Sequence, residues 1–294
     1  MKNIDFTNCQ QILHKAYAGA NGQKICIQYD DKKYMLKFPV SAQNKPTDLS
    51  YTNSCICEHI GSSIFNLLEV NAQRTILGTY NIKGKQKIVC ACEDFTSNGE
   101  KFYDFASIKN TIIDSEHQGN GTELDELLET IEKQRFIDSI ELLEFFWDMF
   151  VIDAFIGNFD RHNGNWGFLV DKDENVTIAP VFDCGSCLLP QADEKVMKAV
   201  IDKEEELNAR IYTFPTSAIK INNKKINYFD FLSNHYSNDC MKALNKIYER
   251  VDISKINSLI ETIPYLSELQ VEFYKTYLSA RFNKILRYSY NRLL

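Results

Sequence analysis

Apolar and polar positions divide the chain into two parts of different character. The runs KICIQY (residues 24–29) and KYMLKF (33–38) alternate with a period of two around Asp30-Asp31. That period predicts two strands joined by an acidic turn. Residues 41–54 form a polar loop. Ile56, Ile60, Ile64, Leu67 and Leu68 then fall at helical spacing, and a second strand pair is predicted near residues 74–80 and 86–92. Strand, strand, helix, strand, strand describes a small β-rich lobe with one helix.

From residue 93 the pattern changes. Residues 97–121 are polar and irregular, and SEHQGNG at 115–121 is expected to be an exposed loop. Residues 124–156 predict two helices, the second apolar almost all round and therefore buried. Short strands follow at 166–170 and 176–181 around a polar turn, and residues 251–294 again read as helices. The expected class is α+β and bilobal. A β-rich N-lobe spans residues 1–93, a mainly helical C-lobe spans 94–294, and the ligand lies between them.

Composition narrows the function classes. A length of 294 residues suffices for two lobes sharing a cleft. The net charge of -7 argues against a surface for nucleic-acid phosphates, so no direct nucleic-acid partner is expected. No apolar run reaches about 18 residues, and residues 1–11 carry no signal-peptide pattern, so a cytoplasmic chain without membrane association is expected. Nine cysteines raise the question of a metal. Only Cys184 and Cys187 have Cys-x-x-Cys spacing, and no second pair matches it, so reduced thiols are expected.

The chemistry concentrates after the buried helix, in GNFDRHNGN (157–165), the strand pair, and VFDCG (181–185). Two strands joined by a tight turn place the residue before the first and the residue after the second at one open end. Asn165 and Asp183 should therefore be neighbours, with Asp160 one loop-turn away. Phosphoryl transfer needs that arrangement, with oxygen ligands for magnesium and a carboxylate to orient the attacking hydroxyl. Asp-x-x-x-x-Asn, a hairpin, then Asp-x-Gly follows the protein-kinase order and gives the fold a protein-kinase-like reading. On the N-terminal side, Gly19, Ala20, Asn21, Gly22, Gln23 and Lys24 form a small-residue loop opening a strand, suited to backbone contact with phosphates. Lys37 on the next strand is placed to face the α/β-phosphates, with Glu58 on the following helix to hold it. Surface roles for both are the plainer alternative.

These motifs resemble the HipA-like serine/threonine kinases, and most closely the short form similar to the cell-translocating kinases of bacterial pathogens. The resemblance runs from about Tyr17 to Ile221 and includes RIYTFPTSAIK (210–220). It implies ATP and Mg2+ as cofactors, Asp160 as catalytic base, and Asn165 and Asp183 as metal ligands. It further implies Lys37 on the ATP phosphates and Glu93, Asp94 and Phe95 as the hinge beside adenine. Arg161 and His162 belong to the same motif, His162 either catalytic or packed under the loop. The implied partner is a protein substrate, with room for an antitoxin-like regulator and for secretion as an effector. One departure is that no Ser or Thr occurs from Asn8 to Val40, with Ala16 near the place of the serine some relatives phosphorylate. Self-modification is then expected elsewhere, with Ser186, Thr213, Thr216 and Ser217 as candidates. A lipid or small-molecule kinase and a pseudokinase-like module are the competing readings. The basic, aromatic segment 281–288 is the one feature suited to a membrane, or to packing on its lobe.

Overall fold

The computed structural model describes residues 3–15, 17, 23–39, 51–96, 98–112 and 118–293. Strands β1 (Lys24–Tyr29) and β2 (Lys32–Lys37) form the expected hairpin. Asp30 and Asp31 turn it with φ of 47° and 59°, the left-handed pair that matches a two-residue turn to strand twist. Helix α1 (Ser54–Leu67) follows, then β3 (Thr75–Ile82) and β4 (Lys85–Glu93). The four strands make one antiparallel sheet in the order β1-β2-β4-β3. One face packs Ile27, Leu36, Phe38 and Val89 around Phe6 from the N-terminal segment. The other face brings Leu77, Cys90 and Cys92 onto α1 and into the main core.

Residues 97–121 correct the sequence reading. They contain β5 (Lys101–Asp104), α2 (Phe105–Ile112) and a 3-10 turn at Gln118–Asn120. Residues 115–117 of the expected exposed loop lie outside the described residues, but Gly119 and Gly121 are buried. Their carbonyls accept from Asn163 Nδ2 (2.7 and 2.8 Å), and the fully buried Lys109 donates to the Gly121 carbonyl and pairs with Glu126. Polar residues are buried here because they satisfy one another at long range.

Helices α3 (Leu124–Lys133) and α4 (Ser139–Ile156) match the expected pair, the second starting on an Asp138 cap and buried on every side over its last three turns. Then β6 (Gly167–Val170) and β7 (Val176–Ile178) form the expected hairpin, with β5 added at its edge. Strand β7 is shorter than expected because Val181 leaves it to pair with residues 71–73 (Val181 N to Asn71 O 2.9 Å; Gln73 N to Val181 O 2.8 Å). The rest is helical. Helices α5 (Glu194–Asp202) and α6 (Glu204–Tyr212), a hairpin of β8 (Lys220–Ile221) and β9 (Lys224–Lys225), and α7 (Tyr228–Ser233) come first. Then follow α8 (Asn238–Arg250), α9 (Ile253–Glu261), α10 (Glu268–Arg281), a π-helical turn (Phe282–Arg287) and α11 (Tyr288–Asn291). The segment 281–288 packs on its lobe. Arg281 is fully buried and donates to the Ala154, Phe155 and Arg210 carbonyls, while Phe282, Ile285 and Leu286 join the core. No described helix is long and apolar enough to cross a membrane.

Helix α4 ends at Gly157, left-handed at φ 68°, where an added Cβ would collide with the Tyr277 hydroxyl and the Pro215 ring. Gly157→Ala therefore meets both backbone strain and a clash. It should lower unfolding free energy by about 2–4 kcal/mol in denaturant titrations. An unchanged midpoint would mean that the loop after α4 adapts freely.

Candidate active site

One buried carboxylate organises the loop that follows α4. Asp153, in the last turns of the helix, is 1 % exposed and accepts from Asn158 Nδ2 (2.8 Å), Arg161 Nε (2.9 Å) and Arg161 Nη2 (3.3 Å). Burial opposes the Arg161 charge, but Asp153 more than offsets it and holds the guanidinium protonated. Arg161 Nη1 then donates to the carbonyls of Asn165 (2.9 Å) and Phe182. A single nitrogen thus touches both Asn165, two residues before β6, and Phe182, the residue before Asp183, so the two ends of the β6–β7 segment are neighbours as the hairpin predicts.

Within this frame, Asn165 Nδ2 donates to the Asp160 carbonyl (2.9 Å), which leaves the amide oxygen of Asn165 as its free acceptor. No described residue donates a hydrogen bond to the half-buried Asp160 carboxylate. Burial lifts its pKa above the usual carboxylate value, the Asp183 charge adds to that, and His162, Arg161 and Lys225 act against it. His162 is exposed, not packed under the loop, and its Nδ1 accepts from the Gly164 N–H (3.1 Å).

From the other side come Lys37 at the end of β2 and Glu58 on α1. Lys37 Nζ donates to Glu58 Oε2 and to Asp183 Oδ1, both at 2.9 Å. Burial works against the lysine's charge, yet Asp183 and Glu58 raise it well above its ordinary pKa. Glu58 is almost fully buried, and its second oxygen accepts from the Cys184 N–H (3.1 Å). Lys37 holds the Asp183 carboxyl down to about 2. That lies below the unfolded value near 3.9, so the pairing stabilises above about pH 4 and is lost as pH falls through about 2. Asp183 itself is left-handed, at φ 58°, a strained setting for a non-glycine residue. Lys24 stands opposite Lys37 in the strand register, and its charge adds to the field on Asp183.

The expected hinge residues are occupied differently from one another. Glu93 pairs with Lys32 (2.9 Å), and its carbonyl accepts from Gln73 Nε2 (2.9 Å). The Asp94 carboxylate faces the N-terminal segment, accepting from Lys15, Tyr17 Oη (3.0 Å) and Thr96 (2.7 Å to Oγ1). The Phe95 ring packs against Phe102 and Phe182, with centroids 5.8 and 5.7 Å away. Of the expected phosphate loop, Gly19, Ala20, Asn21 and Gly22 lie outside the described residues, as does Ala16. Gln23 is described and its carbonyl accepts from the Phe38 N–H (3.3 Å).

The oxygen donors fit a small hard cation. Asn165 has one free amide oxygen, and Asp183 keeps one carboxylate oxygen beyond Lys37. No group of three or more His, Cys, Asp or Glu side chains among the described residues is placed to hold an ion alone. Two protein oxygens, from Asn165 and Asp183, would suit magnesium, which keeps water or substrate oxygens in the rest of its shell. Cys184 and Cys187 contribute to packing: Arg161 Nη2 donates to Cys184 Sγ (3.5 Å), and Cys187 Sγ donates to the Cys57 carbonyl (3.3 Å). Ser217 is corrected as a modification candidate, since it is 1 % exposed and its hydroxyl accepts from the Ile219 N–H.

Asp153, Gln73 and Asn163 were not singled out from the sequence. Asp153 had a signal, an acid inside an otherwise apolar helix, where a charge must find a buried partner. Gln73 and Asn163 had none, because their partners are backbone carbonyls of distant segments. Removing one side of the buried pair with Arg161→Ala should cost about 3–5 kcal/mol of stability. Combining it with Asp153→Asn should cost less than the sum of the two changes. Additive losses in denaturant titrations would show that the pair is not coupled.

Known proteins place this arrangement. The HipA-like C-terminal domain family matches residues 15–257. The serine/threonine-protein kinase CtkA of Helicobacter pylori J99 is 47% identical over 296 aligned residues, covering 100% of this chain and 90% of that protein. The crystal structure of the H. pylori proinflammatory kinase CtkA superposes with a TM-score of 0.91 at 47% identity, covering 99% of this chain and 98% of that one. HipA of Shewanella oneidensis MR-1, solved with HipB and operator DNA, has a TM-score of 0.56 at 17% identity, over 93% of this chain and 67% of that one, and shares the fold. With its kinase-like bilobal architecture and a match covering most of its length, the chain belongs to the HipA-like C-terminal domain family.

Proposed function

We propose that this chain is a serine/threonine protein kinase that transfers the γ-phosphoryl group of ATP, with magnesium, to a hydroxyl of a protein substrate. The observation that carries the reading is the meeting of Lys37 and Glu58, from the sheet and α1, with Asp183 beside Asp160 and Asn165. Whole-length similarity to a serine/threonine kinase supports it. The lobe boundary is taken at Glu93–Asp94, where the sheet ends.

In this reading Asp160 orients the incoming hydroxyl and accepts its proton. Its carboxylate accepts no described hydrogen bond, and its raised pKa makes it a better base than an exposed aspartate. Lys37 presents a positive charge to the phosphates, with Glu58 fixing its position. Asn165 and Asp183 would hold magnesium through their side-chain oxygens, and the ion would supply positive charge against the phosphates. Gln23 and Lys24 would face the phosphates, and the backbone of Glu93, Asp94 and Phe95 would lie beside adenine. His162, exposed next to Asp160, is a secondary contact to the hydroxyl-bearing substrate.

Two substitutions separate the two acids. Asp160→Asn removes the base but keeps the cation ligands, so Mg-ATP affinity should persist while transfer falls roughly 10²–10⁴-fold. Asp183→Asn should damage both, because a neutral amide is a poorer ligand for a hard cation and no longer pairs with Lys37. Calorimetric titration beside single-turnover assays reads both effects. Loss of affinity in Asp160→Asn with retention in Asp183→Asn would reverse the roles, and full activity in both would end the kinase reading.

A further inference from the structure

We propose that Lys220 and Lys225, on the β8–β9 hairpin, form a cationic rim beside the catalytic loop that receives an acidic side chain flanking the hydroxyl of the protein substrate. The proposal rests on the kinase reading and adds a substrate class to it.

The strand register pairs Lys220 with Lys225 and Ile221 with Lys224. Directly opposed residues share one face with Cβ atoms about 5 Å apart, so two ammonium groups project on the same side and Lys224 on the other. Like charges in that position repel, and among the described residues no ion pair relieves either lysine. Glu123, bridged to Lys220 through the backbone, directs its Oε1 to the Asn223 N–H (3.0 Å). Lys225, Lys224 and the turn residues Asn222 and Asn223 are exposed, and Lys220 is half-buried. In a chain of net charge -7, the hairpin KINNKK is a local exception.

Its place in the fold is what gives the charge a role. The Lys220 N–H donates to the Thr122 carbonyl (2.9 Å), next to Gly121, whose own carbonyl holds Asn163 of the catalytic loop (2.8 Å). At the other strand, the Ile226 N–H donates to the Ile219 carbonyl (2.9 Å), and Tyr228 Oη donates to the Asn158 carbonyl (2.6 Å), two residues before Asp160. The hairpin is thus tied to the catalytic loop from both sides. Lys225 is also one of the positive charges acting on the Asp160 carboxyl against the effect of burial. An anion seated on this pair lies beside the base that receives the hydroxyl. A nucleic acid or an anionic membrane would need a broad basic face, whereas two ammonium groups match one carboxylate.

The test uses the full chain with Mg-ATP and serine peptides in which one Glu is walked over about four residues on either side of the serine, at roughly 3.4 Å per extended residue. Each peptide is compared with its Gln counterpart. Glu at one or two positions should raise kcat/KM roughly two- to fivefold, the scale of an exposed ion pair, mostly through KM, and the gain should shrink in high salt. Lys220→Glu and Lys225→Glu should abolish that preference and favour Lys-bearing peptides, with melting temperature and Mg-ATP affinity unchanged. Lys224→Glu, on the opposite face, should keep the preference. Equal use of Glu and Gln peptides at every position, or loss of the preference in Lys224→Glu to the same degree, overturns the rim while leaving the kinase reading intact. Binding of nucleic acid or anionic vesicles that depends on Lys225, with no peptide preference, also overturns it. No transfer to any peptide overturns both.

Discussion

The loop after α4 has no regular secondary structure between residues 158 and 165, and its shape comes from one buried cation. Arg161 enters the interior because Asp153 waits there on α4, and a buried charge without its partner would cost several kcal/mol. Once neutralised, the guanidinium has donors left over, and they reach the carbonyls of Asn165 and Phe182. The helix, the loop and the Asp183 segment are therefore coupled through one rigid planar group. A lysine would supply the charge without the fork that makes these contacts.

The second dependence runs across the cleft. Lys37 and Glu58 belong to the sheet and to α1, while Asp183 and Cys184 belong to the helical lobe, and all four meet in one network. Glu58 uses one oxygen for the lysine and the other for the Cys184 amide, so a rotation of α1 would disturb both contacts. The strained backbone of Asp183 is held between this network and Arg161. Strain of that kind persists where surrounding contacts over-determine it, and here it holds the Asp183 carboxylate on Lys37.

Much of this was legible in the residues. Period-two runs and the apolar helix at 139–156 announced β1–β4 and α4, since burial of one face or of all faces leaves a direct trace in composition. The proximity of Asp160, Asn165 and Asp183 was legible because a hairpin converts linear spacing into nearness. The region 97–121 was not. Its polar residues suggested solvent, yet Lys109 and the Gly119 and Gly121 carbonyls are buried because their partners come from α3 and the loop after α4. Likewise nothing in the sequence indicated that the Asp94 side chain turns to Lys15, Tyr17 and Thr96.

The sequence by itself determined the order of β1 to β4 and of α3 to β7, the family, and the chemical identity of the acids and amide around Lys37, because these follow from local periodicity and short motifs. The tertiary structure alone decided which polar groups are buried together. Only the fold could set Arg161 on Asp153, Gln73 on the Glu93 carbonyl, or Asn163 on residues 119–121. Only the hairpin register could put Lys220 and Lys225 on one face. The reason is physical. A buried polar group is tolerated only where its partner arrives, and a partner brought from many residues away leaves no periodic trace in the chain that carries it.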